Sequence, residues 1–485
     1  MASLFNKFFP GASSSAAPAN SDLGSMESLS QAINSLATEN EDKVGERAAE
    51  IVRQNKELLE RKTSDVEQFL LSCKPSVGSA AMAAAIKALF ESSSAKGQDN
   101  GIERAIELLH HYLEENAFVG EHLQLVPEII FPLLRSVGAY CLEKKQKPEI
   151  GQKIISKALE TIYPRDGGLN VLTSAHGVLF ACALKTKDCV SVEKFIDTHI
   201  EAVANERGVD DFSVDDQGAL FSLNRMKKGQ LGSVGNASSA NAYLSPKFVL
   251  DYLYNGACVF IELKKYEDAL FLLETLISIP AFSVQDQLVE GYKKFVLVSL
   301  LLNGKVVDNN DKQSGTRSLK LKAPEYKTLA DVKFIRSANT HAKVEELVQN
   351  SRDKLRRDGN LELAKLMVAE MKKKTIMALV KIFSSIQLAE IQKLSFLKNS
   401  AQVSEVIQQL VKEDKITVTI EGEMVFWSEV APVPSKADVL AKIETVDTLN
   451  DLLDERNKIM KSGNKGPKPS VLFNDDEGLS MPPIE

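Results

Sequence analysis

Aromatic residues and long apolar runs are scarce in this 485-residue sequence. Aromatic side chains make up 6% of the chain, with a single Trp, while Ala, Leu, Lys, Glu and Gln are abundant, which is typical of a mainly helical protein. No run approaches the ~20 apolar residues that a membrane span requires. Residues 1–20 also lack the apolar core of a signal peptide. We therefore expect a protein of the cytoplasm and nucleus that does not bind membranes.

Cysteine is also sparse, and its positions do not suggest a disulfide framework. The number of cysteines is odd and none form close pairs, which indicates reduced, mostly buried thiols. The five cysteines stand at positions 73, 141, 182, 189 and 258.

Signatures of catalysis and of metal binding are missing as well. The six His form neither a His-x-His pair nor an HExxH helix. His176 with Cys182 and Cys189 suggests a metal site, but the separations are wide and a fourth ligand is lacking, so buried helical cysteines are the better interpretation. The glycines between Gly229 and Gly235 are followed by no Lys-Ser/Thr pair, so a phosphate-binding loop is not expected. We expect no catalytic residue, no cofactor and no metal.

Positive charge is not in surplus. The chain has 59 Lys and Arg against 66 Asp and Glu, which gives a formal net charge of −7. A dedicated nucleic-acid binder needs an excess of Lys and Arg for its phosphate contacts. Basic runs do occur at 352–357 (RDKLRR) and 371–374 (MKKK), and we interpret them as solvated helix faces. Nucleic acid is therefore not an expected partner.

What the chain does contain is a long succession of helical patterns. Residues 25–224 show apolar residues at three- and four-residue steps between short polar breaks. This pattern predicts stacked antiparallel helices, an α-solenoid of tetratricopeptide-like repeats. One of the predicted helices spans 192–206. Residues 1–24, rich in Ala, Ser and Pro, are predicted to be a disordered tail, and residues 225–246, rich in Gly, Ser and Asn, a flexible insertion.

A two-helix hairpin follows the predicted insertion. It opens a segment, 247–359, that we predict to be the helical part of a larger domain. Gly256 and Ala257 in the first helix permit a close approach of the second helix. Ala269 and Leu273 in the second helix are expected to face the first.

Residues 360–430 predict a winged helix, which is three helices followed by a two-stranded wing. The predicted helices are 361–383, 387–396 and 403–413, and the predicted strands are 416–420 and 424–427. The third helix, which Ser400 is expected to cap, contains no Arg, and Glu405, Glu413 and Asp414 would face phosphate. This charge pattern favours a protein partner over nucleic acid.

A last helix is predicted over residues 435–461, after a break at Pro432 and Pro434. Because it follows a proline break, we favour its packing in a helix bundle with partner chains. The alternative is that it folds back on this chain's own winged helix. Residues 462–485 are predicted to be a disordered acidic tail. The apolar residues that recur along this helix at heptad-like spacing are Val439, Ile443, Val446, Leu453 and Met460.

The order of a helical-repeat arm and a winged helix resembles the PCI family, whose members occur in the proteasome lid, the COP-nine signalosome and translation initiation factor three. The stretch 247–306 is similar in more detail to the subunit-three family of the signalosome. It begins KFVL, continues with a Tyr-rich helix and an ALxxxE helix that ends in Pro-Ala, and closes with EGYKKFVLVSLLLNGKV. The segment 385–394 (SIQLAEIQKL) matches more loosely.

This resemblance implies a mainly α fold: an α-solenoid of TPR-like helical repeats, then a winged-helix (PCI) module and a C-terminal helix. It also implies a non-catalytic scaffold in the complex that removes the ubiquitin-like modifier Nedd-eight from cullins, with the zinc chemistry in another subunit. The partners implied are other signalosome subunits, above all subunits one and eight, and indirectly the cullin-RING ligases.

PCI subunits associate through their winged helices, so the wing is the expected interface, by β-augmentation. Either 416–420 or 424–427 would supply the pairing edge. The alternatives are a PCI subunit of the proteasome lid, or a PCI protein of messenger-RNA export or translation initiation. The wing residues expected at the interface are Ile416, Val418, Ile420, Met424, Phe426 and Trp427.

Overall fold

The computed structural model describes most of the chain between Ser25 and Glu429. The predicted tails at 1–24 and 462–485 lie outside the described residues, as do positions 225–243 of the predicted insertion. Contacts divide the chain into an N-terminal unit, Met1–Met371, and a C-terminal unit, Lys372–Glu485. The described residues are 25–38, 41–164, 171–196, 202–206, 244–278, 286–306, 314–331, 340–429, 443 and 446.

The N-terminal unit is a succession of helices with two short strands that pair in parallel. Its first elements are α1 (Met26–Ser35), α2 (Glu41–Gln54), α3 (Lys56–Arg61), α4 (Val66–Ser72), α5 (Pro75–Ala95), α6 (Asp99–Glu114), α7 (Gly120–Gln124), α8 (Pro127–Glu143), α9 (Pro148–Ile162), β1 (Val171–Leu172), α10 (Ser174–Thr186), α11 (Val190–Ile196) and β2 (Ala202–Val203). Its later helices are α12 (Pro246–Glu262), α13 (Tyr266–Ser278), α14 (Asp286–Asn303), α15 (Ser314–Lys322), α16 (Pro324–Ala330), α17 (Thr340–Asn350), α18 (Arg352–Arg357) and α19 (Leu361–Val380), which crosses the division between the units. Among the described helices, none combines the length and the apolar character needed to cross a bilayer.

Proline marks where several of these helices begin. Its fixed φ suits the first turn of a helix, where the missing N–H has no partner to lose. Pro246 begins α12, and Leu244 just before it is buried, so the last residues of the predicted insertion belong to the folded unit. The other helices with Pro in the first turn begin at Pro75, Pro127, Pro148 and Pro324.

Side-chain contacts recur at the spacing of one helical repeat. Arg104 on α6 pairs with Glu67 on α4 at 2.6 Å, 37 positions away. Gln124 Nε2 on α7 donates to the carbonyl oxygen of Ile162 at the end of α9 at 2.5 Å, 38 positions away. Helix pairs therefore stack on their sequence neighbours, as in a solenoid. The predicted fold of helical repeats is confirmed.

The hairpin formed by α12 and α13 also agrees with the prediction. A Cβ added at Gly256 would lie 3.2 Å from Leu272 Cδ1, which shows how closely the two helices approach. Ala269 and Leu273 are fully buried. The small residue in the first helix makes room for the apolar face of the second.

The predicted helix over 192–206 is wrong in its second half. α11 ends at Ile196, and Ala202–Val203 form β2 instead. Glu206 accepts a hydrogen bond from the backbone N–H of Ser174, the first residue of α10, at 2.7 Å. Arg135 lies 3.8 Å from the same carboxylate. A carboxylate at a helix N-terminus is stabilised by the unpaired N–H groups there, and this tertiary contact overrides the helical periodicity.

A buried polar network fixes the end of α18. Lys293 Nζ lies 3.1 Å from Asp358 Oδ1 and 2.6 Å from Glu290 Oε1, and the side chains of Lys293 and Asp358 are only 8% and 12% exposed. Tyr326 Oη donates to Asp358 Oδ2 at 2.9 Å and accepts from Asn360 Nδ2 at 3.0 Å. Burial alone would lower the pKa of Lys293, but the two carboxylates outweigh it and the pKa is raised. Asp358 directly follows α18, so this network holds the helix in place.

The C-terminal unit contains the predicted winged helix. Its core is apolar side chains of the second half of α19, of two further helices and of a three-stranded sheet. One strand, β3, was not predicted, because three residues are too few to show a period of two. The elements after α19 are β3 (Ser385–Gln387), α20 (Leu388–Ser395), α21 (Ser400–Lys412), β4 (Ile416–Glu421) and β5 (Met424–Glu429).

Two local features shape this winged helix. Asn399, not the predicted Ser400, caps α21: its side chain accepts a hydrogen bond from the backbone N–H of Gln402 at 2.9 Å. Gly422, at φ 64°, is the first central residue of the two-residue turn between Glu421 and Met424. A left-handed conformation there is the reason that glycine is favoured in such hairpins.

Candidate subunit interface

The strand order of the winged helix decides which strand can pair with another chain. β5 lies between β3 and β4 and pairs antiparallel with both. The alternative in which Met424–Trp427 supplies the edge is therefore wrong, because β5 has no free side. Among the described residues, the six-residue β4 has its other side unpaired, and so has the three-residue β3.

The direction of the backbone groups identifies the open positions on β4. Trp427 N–H donates to the carbonyl oxygen of Ser384 at 3.1 Å, so the backbone groups of Trp427 point towards β3. Successive residues of a strand point in opposite directions, so those of Phe426 point towards β4 and bond with its partner Thr419. By the same alternation, the backbone N–H and C=O groups of three residues face away from the sheet: Ile416, Val418 and Ile420.

This open edge has few of the features that prevent strand pairing in monomeric proteins. Its sequence, ITVTIE, contains no Pro and no Lys, its one charge is Glu421 at the last position, and the pairing with β5 runs without a bulge. Natural sheets normally protect an exposed edge with a charge, a proline, a bulge or a covering segment. An unprotected strand of β-branched residues is instead suited to accept a further strand.

The side chains of the six predicted wing residues fall into three groups. Ile416 and Trp427 are buried in the unit's own core, and Trp427 Nε1 donates to the carbonyl oxygen of Phe383 at 2.7 Å. Val418 and Met424 are half-buried. Ile420 and Phe426 are 58% and 41% exposed. Only these last two offer a large apolar surface for a partner, and the contribution of Ile416 is confined to its backbone.

The charges of α21 differ in one respect from the sequence-based interpretation. The carboxylate of Glu413 does not stand free: Lys373 and Lys415 both bind it, the latter at 2.6 Å. Burial alone would raise the pKa of Glu413, but these hydrogen bonds outweigh it and the pKa is lowered. Glu405 and Asp414 are exposed, so the surface still carries acidic groups.

Two of the five residues predicted on the C-terminal helix are described. Ile443 and Val446 are helical and about half exposed. Val439, Leu453 and Met460 lie outside the described residues. The prediction that this helix joins a bundle therefore stays a prediction.

The residues weighed as metal ligands are parts of the helical core. His176 is buried, and its Nδ1 accepts a hydrogen bond from the backbone N–H of Thr173 at 3.2 Å. Burial lowers the pKa of His176 to about 4 and raises that of Cys182 to about 12, which makes this Cys a poor thiolate donor. In the part of the chain that the structure describes, no three or more His, Cys, Asp or Glu residues are grouped as metal ligands.

Comparison with known proteins agrees with this architecture. A family model described as "COP9 signalosome complex subunit 3, N-terminal helical repeats" matches residues 42–221 and 227–314, and the PCI domain model matches residues 342–429. The COP9 signalosome complex subunit 3 of Caenorhabditis elegans is 58% identical over 499 aligned residues, which cover all of this chain and 99% of that protein. The protein of the same name from Drosophila melanogaster is 24% identical over 316 residues, 64% of this chain and 65% of that protein.

Proposed function

Because the chain belongs to the family of COP9 signalosome subunit 3, we propose that it is a non-catalytic scaffold subunit of the COP-nine signalosome. Within that complex it holds sister subunits together while another subunit removes Nedd-eight from cullins. The match to this family also sets aside a subunit of the proteasome lid and a PCI protein of messenger-RNA export or translation initiation.

The observation that carries the proposal is the open edge of β4. Its outward-facing N–H and C=O groups belong to Ile416, Val418 and Ile420, and within the described strand no proline, lysine or bulge protects them. A sister winged helix that adds a strand there would satisfy these groups and cover the exposed side chain of Ile420. A continuous sheet between subunits gives a scaffold both affinity and a fixed register.

The finer parts of the proposal concern partners and place. We propose that subunits one and eight are the direct neighbours, that cullin-RING ligases are reached through the complex, and that the protein works in the cytoplasm and nucleus. The exposed Glu405 and Asp414 on and after α21 favour a protein partner over nucleic acid. A second contact, through the helix that contains Ile443 and Val446, would anchor the chain in a helix bundle.

A proline scan of β4 tests the edge directly. Val418→Pro removes an N–H that faces away from β5, so the wing keeps its hydrogen bonds while the edge loses a donor. Thr419→Pro is the matched control, because its N–H faces β5. Val418→Pro also trims a half-buried side chain that packs on the core, so we expect it to lower the melting temperature less than Thr419→Pro does, but to lose co-purification with sister subunits. Thr419→Pro should lower the melting temperature of the isolated chain.

The same co-purification separates the two contacts. Ile443→Asp with Val446→Asp should weaken capture of sister subunits without changing the melt of the single chain, since both side chains are about half exposed. If Val418→Pro captures sister subunits as well as the wild type does, β4 is not the pairing edge. If the two Asp substitutions unfold the isolated chain, the last helix belongs to this chain's own core.

A further inference from the structure

The short helix α18 carries a cluster of arginines that the fold itself does not use. Arg352, Arg356 and Arg357 are exposed, and among the described residues none of them forms an ion pair or a side-chain hydrogen bond. Arginines elsewhere in the described chain are paired: Arg53 with Glu128 at 2.8 Å, and Arg104 with Glu67 at 2.6 Å. The three guanidinium groups on α18 are therefore accessible to a partner molecule.

The remaining positions of α18 explain why these arginines point outwards. Leu355 is fully buried, and Lys354 Nζ is bound to Glu325 Oε1 on α16 at 3.2 Å. Asp358, just beyond the helix, is held by Lys293 and by Tyr326 Oη at 3.1 and 2.9 Å. The helix is thus fixed on its inner side and at its end, and little backbone entropy would be lost when a ligand binds.

The charge around α18 contrasts with that of the whole chain. The described stretches 314–331 and 340–358 contain nine Lys and Arg against six Asp and Glu, a net charge of +3, whereas the chain as a whole carries −7. Such a local surplus attracts and orients an acidic partner.

We propose that the arginine face of α18, which comprises Arg352, Arg356 and Arg357, docks an acidic segment of a partner protein. Arg352 and Arg356 stand one helical turn apart on the same side, so they match two carboxylates at the same spacing. Guanidinium groups bind carboxylates in a planar, bidentate way that lysines cannot reproduce. The partner's segment therefore carries Asp or Glu at positions four apart.

Two observations favour an acidic polypeptide over a nucleic acid at this site. The arginine face extends over six residues, about 9 Å of helix, which is short for a groove that follows a phosphate backbone. Asp353 stands within the face and is exposed, so it would repel a continuous row of phosphates.

The test uses the full chain and a fluorescein-labelled Glu-rich peptide, with a Gln-rich peptide of equal length as the uncharged probe. Fluorescence anisotropy at low and at physiological salt measures the affinity. We expect the Glu-rich peptide to bind and the Gln-rich peptide not to bind. The triple substitution Arg352→Glu, Arg356→Glu and Arg357→Glu should weaken binding about tenfold or more, since each reversal turns an attraction into a repulsion.

A matched control has the same change in charge at a different place. Lys96, Lys144 and Lys185 are exposed and unpaired in the described chain, and their replacement by Glu should change the affinity less than about threefold. Asp353→Asn should act in the opposite direction and tighten binding, because it removes the one acidic group of the arginine face. Thermal melts of the triple variant, which changes only exposed side chains, establish that it is folded.

Several results would overturn the proposal. One is the absence of peptide binding even at low salt, and another is an equal loss of affinity in the lysine control. A third is a single-stranded oligonucleotide of the same net charge that binds more tightly through the same arginines, which would make the site a nucleic-acid site. The proposal does not depend on the scaffold function, because β4 lies in the other unit and its co-purification assay uses different variants.

Discussion

The buried network around Asp358 makes the sharpest prediction about stability, for the substitution Asp358→Ala. Asp358 accepts from Lys293 Nζ at 3.1 Å and from Tyr326 Oη at 2.9 Å, and both charged side chains are nearly excluded from solvent. Removal of one partner from a buried ion pair costs about 3–5 kcal/mol, because the other charge stays buried. Lys293 keeps Glu290 at 2.6 Å, so we expect the lower end, about 3 kcal/mol.

The measurement is urea unfolding of the purified chain followed by far-ultraviolet circular dichroism, which reports mainly the helices. Trp427, the single tryptophan, lies in the C-terminal unit, so its fluorescence gives a separate transition for that unit. Glu107→Ala is the matched control. It removes the same charge from an ion pair with Arg104 at 3.3 Å that is about half exposed on both sides, and should cost under about 0.5 kcal/mol.

A double substitution tests whether the loss comes from the ion pair itself. Lys293→Met with Asp358→Leu removes both charges. The free energy of unfolding that this double variant loses should be smaller than the sum of the losses in Lys293→Met alone and Asp358→Leu alone. The reasoning fails if Asp358→Ala costs less than about 1 kcal/mol, no more than an exposed pair. It also fails if the two single losses simply add.

Two further predictions concern the helical repeats. Burial lowers the pKa of His176 from 6.5 in the unfolded chain to about 4 in the folded chain. Below pH 6.5 the unfolded chain therefore takes up a proton that the folded chain does not, so the free energy of unfolding should fall by about 3 kcal/mol as the pH drops towards 4. Unfolding free energies of wild type and His176→Gln at both pH values check this, and an equal pH dependence in the two proteins would contradict it. A Cβ at Gly120 would overlap the carbonyl oxygen of Thr161, so Gly120→Ala should cost about 2–3 kcal/mol. Gly256→Ala, whose Cβ would come no closer than 3.2 Å to the end of the Leu272 side chain, should cost clearly less in the same thermal melt, and equal losses would refute the argument.

The sequence was sufficient for features that depend on local patterns. Apolar residues at helical steps predicted the repeats, and the alternation in ITVTI with a following glycine turn predicted β4, β5 and their hairpin. The small residue Gly256 marked the close contact between α12 and α13. Each of these signals lies within a few residues of the structure that it predicts.

Features that depend on distant contacts could not be predicted from the sequence. β3 is three residues long, and only its pairing with β5 makes it a strand. That pairing places β5 in the centre of the sheet and so decides that β4 is the open edge. Likewise, Glu206 leaves the helical pattern because Ser174 binds it from 32 positions away. The run RDKLRR looked like an ordinary solvated face, since the sequence does not show that Lys354 and Asp358 are occupied while the arginines are not.

The open edge of β4 also determines what happens to copies of the chain that have not met a partner. An unprotected strand of β-branched residues can pair with the same strand of a second copy, so surplus chains should self-associate in a concentration-dependent way. Production of the subunit in excess of its sisters then becomes a burden on chaperones and proteases. The feature that allows the chain to join an assembly thus ties its abundance in the cell to the supply of its neighbours.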